Sequence, residues 1–122
     1  MIKQPERRRA PRAPERIAVA LSEAGRVFQA ETQNLSEAGA YCTLDRFLPP
    51  MSKLELHFEL PAVIGHTRVR CTGVVVRVEP VVKESNALCY NTAFYFTDIS
   101  KRHRAAIARF VRRRLAAAHH GS

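Results

Sequence analysis

From Lys53 to Leu60 the chain reads Lys-Leu-Glu-Leu-His-Phe-Glu-Leu, alternating without exception. Period two puts Leu54, Leu56, Phe58 and Leu60 on one side and Lys53, Glu55, His57 and Glu59 on the other. This is the pattern of a strand with one dry and one wet face, which a helix cannot satisfy. Such a strand needs a sheet that closes over its apolar side. Other segments read the same way: Arg16 to Leu21, Arg26 to Gln33, Ala40 to Leu44, the valine-rich Arg68 to Val78, and Leu88 to Phe96. Turn residues separate them, among them Glu23-Ala24-Gly25, Pro49-Pro50 and Pro61 to Gly65. Pro80 is expected to end the fifth strand, and Val82 to Ala87 to be an exposed loop.

The period changes after Ser100. Ile107, Phe110, Val111 and Leu115 fall at helical spacing with arginines between them, and Ser100 is a candidate N-cap. The expected fold is therefore mainly β, a six-stranded antiparallel β-barrel with a C-terminal α-helix. A chain of 122 residues supports one domain. It divides into a basic N-terminal arm over 1–14, broken by Pro5, Pro11 and Pro14, a barrel with helix over 15–118, and a tail over 119–122. Phe28, Phe58, Phe94 and Phe96 are expected in the core.

Charge and cysteine content narrow the function classes. The net charge of +9 is concentrated at the ends. Residues 1–16 carry six Lys/Arg against two acids, and residues 101–122 carry seven against none. The near-neutral body between them implies an anionic partner met at particular places. No apolar run is long enough to span a bilayer and no secretory leader is read, so membrane insertion is not expected. Cys42, Cys71 and Cys89 lie in apolar strand contexts without a CxxC pair, and are read as reduced core thiols of a cytoplasmic protein. The histidines, including His119 and His120, have no metal-ligand spacing, and neither metal nor cofactor is expected. Ser36 lacks a nucleophile elbow, and there is no phosphate-cradling glycine loop, so the chain does not read as an enzyme.

Two short motifs remain. Glu6 to Arg12 reads Glu-Arg-Arg-Arg-Ala-Pro-Arg, with Arg8 and Arg12 four apart and Arg7 and Arg9 beside them. A guanidinium grips a phosphate or the O6/N7 edge of guanine with two parallel hydrogen bonds, and stacks on π-systems. Alone, such a run is a solvated basic tail. Asn34 to Gly39 reads Asn-Leu-Ser-Glu-Ala-Gly, which alone is a strand-to-strand turn. Its Asn amide and Ser hydroxyl can also meet a base or a phosphate, and Gly39 is expected to accept positive φ or to let the backbone approach a ligand without a Cβ in the way.

Taken together, Arg8-x-x-x-Arg12, then 21 residues, then Asn34-x-Ser36-x-x-Gly39 resembles the paired signature of the PilZ domain family. Thr72 to Glu79 and Tyr90 to Ser100, followed by a basic helix, are similar to the family's last strands and helix. Ala93 departs from the family, many of whose members have Gly there. The resemblance covers about residues 6–115. It implies a six-stranded barrel that receives the bacterial second messenger cyclic di-GMP. Arg8 and Arg12 would grip phosphate and guanine, Asn34 and Ser36 would contact guanine, and Gly39 would shape the turn. The arm would close over ligand seated against the barrel. Arg7, with Arg9, goes with two ligand molecules per chain, where a bulky apolar residue would go with one. An unidentified downstream protein would carry the output.

Two other readings are open. A small basic barrel could bind nucleic acid through its charged ends, although no exposed aromatic stacking surface is evident. A barrel of the same fold could serve as an interaction adaptor without nucleotide, although this chain keeps all five signature residues.

Overall fold

The computed structural model describes residues 11–120. Six strands follow one another: β1 (Ala18–Glu23), β2 (Arg26–Leu35), β3 (Gly39–Leu44), β4 (Lys53–Pro61), β5 (His66–Val82) and β6 (Leu88–Asp98). Among the described residues one helix, α1 (Lys101–His120), follows the strands. All neighbouring strands are antiparallel and close into a barrel in the order β1-β2-β3-β6-β5-β4. This is the expected fold class. Closure gives each strand a hydrogen-bonded neighbour on both sides within the barrel wall.

The alternation of β4 sets the inside and outside. Leu54, Leu56, Phe58 and Leu60 are buried, while Lys53, Glu55 and Glu59 are exposed. Val19, Leu21, Phe28, Leu35, Val69, Val75, Phe94 and Phe96 complete much of the interior. The four phenylalanines expected in the core are there. Ile107, Phe110 and Val111 of α1 join the same cluster, so the helix seals the barrel with its apolar face. Ser100 caps it: its hydroxyl accepts from the His103 amide at 3.1 Å. The helix continues to His120, two residues into the expected tail.

Two departures from expectation follow from strand pairing. β5 passes through Pro80 and ends at Val82, because beyond Val74 it pairs with β6 and no longer with β4. Its outer edge is then free of a strand, and a proline lacking N–H is tolerated there. The end of the expected arm is also tied down. Ala13 is fully buried and forms an antiparallel bridge with Leu35, through bonds of 2.9 and 3.0 Å.

The three cysteines are free and buried on β3, β5 and β6. Burial pushes the Cys42 and Cys71 thiols up to about 12. At neutral pH these two are packing groups rather than nucleophiles.

Candidate functional site

The chain enters the barrel along β2, and a single buried threonine organises that entry. Thr32 is fully buried; its hydroxyl donates to the Glu15 carbonyl at 2.5 Å and accepts from the Ile17 amide at 2.9 Å. Together with the Ala13–Leu35 bridge, this fixes the segment around Pro14 to the barrel. Arg12 stands immediately before the bridge. Its Nη1 donates to Asn34 Oδ1 at 2.7 Å, so the two sequence motifs, 22 residues apart, meet in space.

Asn34 faces outward because β2 is bulged. Thr32 pairs with Cys42 and Asn34 with Tyr41, leaving Gln33 as an extra residue. The bulge resets the alternation, so Gln33 and Asn34 both lie outside while Thr32 and Leu35 are buried. Gln33 Nε2 bonds to Thr43 Oγ1 and, at 2.9 Å, to Asn91 Oδ1. With its oxygen held by Arg12, the Asn34 amide has its NH2 donors left to offer. Arg12 likewise carries only donors. Such a pair suits a ligand rich in acceptors, such as a phosphate or the O6/N7 edge of guanine. Desolvation lowers the Arg12 pKa from its usual value, and the guanidinium remains charged.

Ser36 and Gly39 build the turn from within. Ser36 is fully buried, and its hydroxyl accepts from the Ala38 and Gly39 amides at 3.1 and 3.2 Å. The backbone closes the turn through the Ser36 amide to the Gly39 carbonyl at 2.9 Å. The hydroxyl thus has a structural task in the turn beside the ligand contact that the resemblance implies. Ser36→Ala should lower stability by about 1–2 kcal/mol through two amides left without their side-chain acceptor. It should weaken ligand binding as well, and a thermal melt beside a titration checks both.

Gly39 also differs from expectation. Its φ is outside the left-handed region, which among the described glycines only Gly25 and Gly65 occupy. It is small because β3 lies against β6 there: a Cβ at Gly39 would sit 2.1 Å from the Phe94 carbonyl oxygen.

Strand register brings in residues that the linear motifs do not contain. Across the outer face, Asn34 pairs with Tyr41, Tyr41 with Ala93, and Ala93 with Arg77. Tyr41 donates to Glu79 Oε1 at 2.9 Å, and Arg77 lies 3.9 Å from the same carboxylate. Burial, and then Glu79, raise the Tyr41 pKa, so the phenol stays a donor. Tyr95, 55% exposed, stands opposite Gly39 on the same face. Aromatic surface thus flanks the turn, which the sequence reading did not anticipate. Only register could have revealed it, since Tyr41 and Tyr95 reach this face from strands far apart in sequence. Arg104 of α1 reaches the turn as well, donating to the Glu37 carbonyl at 3.4 Å. Arg7, Arg8 and Arg9 lie outside the described residues.

Among the described residues there is no helix long and apolar enough to cross a membrane, and no group of three or more His, Cys, Asp or Glu placed to hold a metal ion.

The molecule is a closed barrel with a helical plug, and it carries on its outer wall an arginine docked onto an Asn-x-Ser-x-x-Gly turn. The chain belongs to the PilZ domain family, whose model matches residues 6–113. The fold is shared with solved structures at low identity. The inhibitor of motility MotI/DgrA of Bacillus subtilis superposes with a TM-score of 0.78 at 16% identity, covering 94% of this chain and 53% of that one. The PilZ domain of YcgR from Escherichia coli, solved with c-di-GMP, gives 0.68 at 14% identity, covering 94% and 96%. The MrkH–c-di-GMP complex of K. pneumonia gives 0.70 at 15% identity, covering 100% and 57%. The chain spans about half the length of the MotI and MrkH chains. No curated protein matches it by sequence.

Proposed function

We propose that this chain is a receptor for cyclic di-GMP, in which the arginine arm closes over ligand held against the Asn34 turn. The observation that carries this reading is the Arg12–Asn34 hydrogen bond of 2.7 Å, which joins the two halves of the signature on one surface. Family membership supports it, as do the c-di-GMP complexes of YcgR and MrkH. The ligand's two phosphates and two guanines present acceptors to the donor-only Arg12 fork and the Asn34 amide. Arg7, Arg8 and Arg9 extend the same chemistry from the arm, and Ser36 and Gly39 hold the turn in place. The role is binding rather than catalysis.

Calorimetric titration with cyclic di-GMP, with GTP and cyclic GMP as controls, tests the reading. Saturable binding of the cyclic dinucleotide alone is the expected result, and no heat with any of the three would refute it. The same titration gives the stoichiometry. Two ligands per chain are expected, since Arg7 and Arg9 add charge and planar surface for a second set of phosphates and a further guanine. Arg7→Leu should bring the ratio from two to one. A ratio of one in both proteins would remove the stacked pair and leave the receptor reading standing.

A further inference from the structure

The most exposed large apolar residues of the described chain are adjacent. Val63 is 82% and Ile64 90% exposed, at the tip of the β4–β5 hairpin. The tip is a formed turn, closed by the Ala62 amide on the Gly65 carbonyl at 3.0 Å, with Gly65 at φ 71°. The hairpin is also held to the helix, because Arg113 donates to the Pro61 carbonyl at 3.0 Å. Val63 and Ile64 line one groove with Ala106, Arg109 and Arg113.

The neighbouring helix face is strongly cationic. Lys101, Arg102, Arg109, Arg112 and Arg113 are all exposed. At 3.6 residues per turn they fall in a sector of about 120° that ends beside Ala106, next to the hairpin. From Lys101 onward the chain has no acidic residue. Glu59, near the base of the hairpin, is paired with Arg68 at 3.4 Å.

We propose that the Val63–Ile64 tip and the basic sector of α1 form one docking surface for an anionic lipid bilayer. The two aliphatic side chains enter the boundary between headgroups and acyl chains, and the basic residues lie over headgroup phosphates. Charge complementarity selects an anionic partner, and the apolar tip selects among anionic partners. A nucleic acid backbone offers phosphates but no apolar layer to take Val63 and Ile64. A bilayer surface offers both in one plane. The tip is convex, so it needs no preformed pocket in its partner. This surface stands independently of the cyclic di-GMP reading.

The test is co-sedimentation of the full chain with vesicles of phosphatidylcholine, with and without phosphatidylglycerol. Binding is expected only with phosphatidylglycerol, and it should fall as salt is raised. Val63→Ser with Ile64→Ser should weaken it by about tenfold or more through lost apolar burial. Arg109→Gln and Arg112→Gln should each weaken it about fivefold. All four positions are exposed, so thermal melts should be unchanged and a loss of binding is a surface effect. The proposal is overturned if anionic vesicles do not sediment the protein, if pure phosphatidylcholine does so equally, or if the tip variant binds as the parent does. A duplex DNA arm completes the experiment. DNA binding sensitive to the arginines, without vesicle binding, would assign the surface to nucleic acid instead.

Discussion

Replacing Arg12 by Ala should weaken cyclic di-GMP binding by about tenfold to a hundredfold and leave the barrel standing. The two effects separate because of where the side chain is. Arg12 is exposed, and its partner Asn34 sits on the outer wall, so their bond of 2.7 Å contributes little to the fold. Exposed polar truncations change stability by about half a kcal/mol or less. In the proposed complex the same fork would meet a phosphate or a guanine edge. There a charge-assisted bidentate contact is worth on the order of 1–3 kcal/mol. Arg12→Lys should not restore affinity, because an ammonium offers a point charge in place of the planar fork. Arg8→Ala should act in the same direction, and the double variant should lose measurable binding. Titrations of the single, conservative and double variants, each with a thermal melt, decide the matter. Parent-like affinity in both alanine variants would remove the arginines from the site. Parent-like affinity in Arg12→Lys would leave a purely electrostatic contact.

Much of the fold was legible because it follows from local periodicity. The alternation from Lys53 to Leu60 assigned the inner and outer faces of β4 residue by residue, and the spacing of Ile107, Phe110 and Val111 assigned the buried face of α1. Ser100 could be read as a cap because capping is decided within one turn. The features missed depend on partners distant in sequence. Nothing local distinguishes Pro80, in a stretch of β5 paired on one side only, from a proline that stops a strand; the difference is that β4 has already left its other side. Ala13, lying between Pro11 and Pro14 among polar residues, gives no sign that it pairs with Leu35. The same holds at the site. The two motifs could be recognised in the sequence, but the bulge that turns Asn34 outward could not, nor could the row that sets Tyr41, Ala93 and Arg77 beside it. Ser36 reads as a ligand contact because hydroxyls bind bases and phosphates, and nothing local shows its second task. Its burial inside the turn gives it the task of holding two backbone amides.

Gly39→Ala should be among the most destabilising single substitutions in this chain, and the reason is contact rather than backbone freedom. Gly39 opens β3 and pairs with Tyr95 on β6, with a conformation that alanine can adopt without strain. Its obstacle is the Phe94 carbonyl oxygen, 2.1 Å from where a Cβ would lie, with Tyr95 Cα at 3.3 Å. Both obstructing atoms are backbone, so no rotamer change relieves the clash. The strands must move apart, and that movement disturbs the pairing of Ala40 with Phe94 and the Phe96 amide bond to the Ala38 carbonyl at 2.9 Å. Overpacking that cannot relax costs about 3 kcal/mol or more. For a domain of this size the melting temperature should fall by about 10 °C or more. Gly25 supplies the control. It does take positive φ, at 84°, but a Cβ there meets nothing within 4 Å. Gly25→Ala should cost only about 1 kcal/mol of backbone strain. If the Gly39 requirement were conformational, the two variants would melt alike. If it is the close approach of β3 to β6, Gly39→Ala melts far below Gly25→Ala. Ligand binding should then weaken only in the Gly39 variant, because the displaced strand carries the Ser36 turn with it.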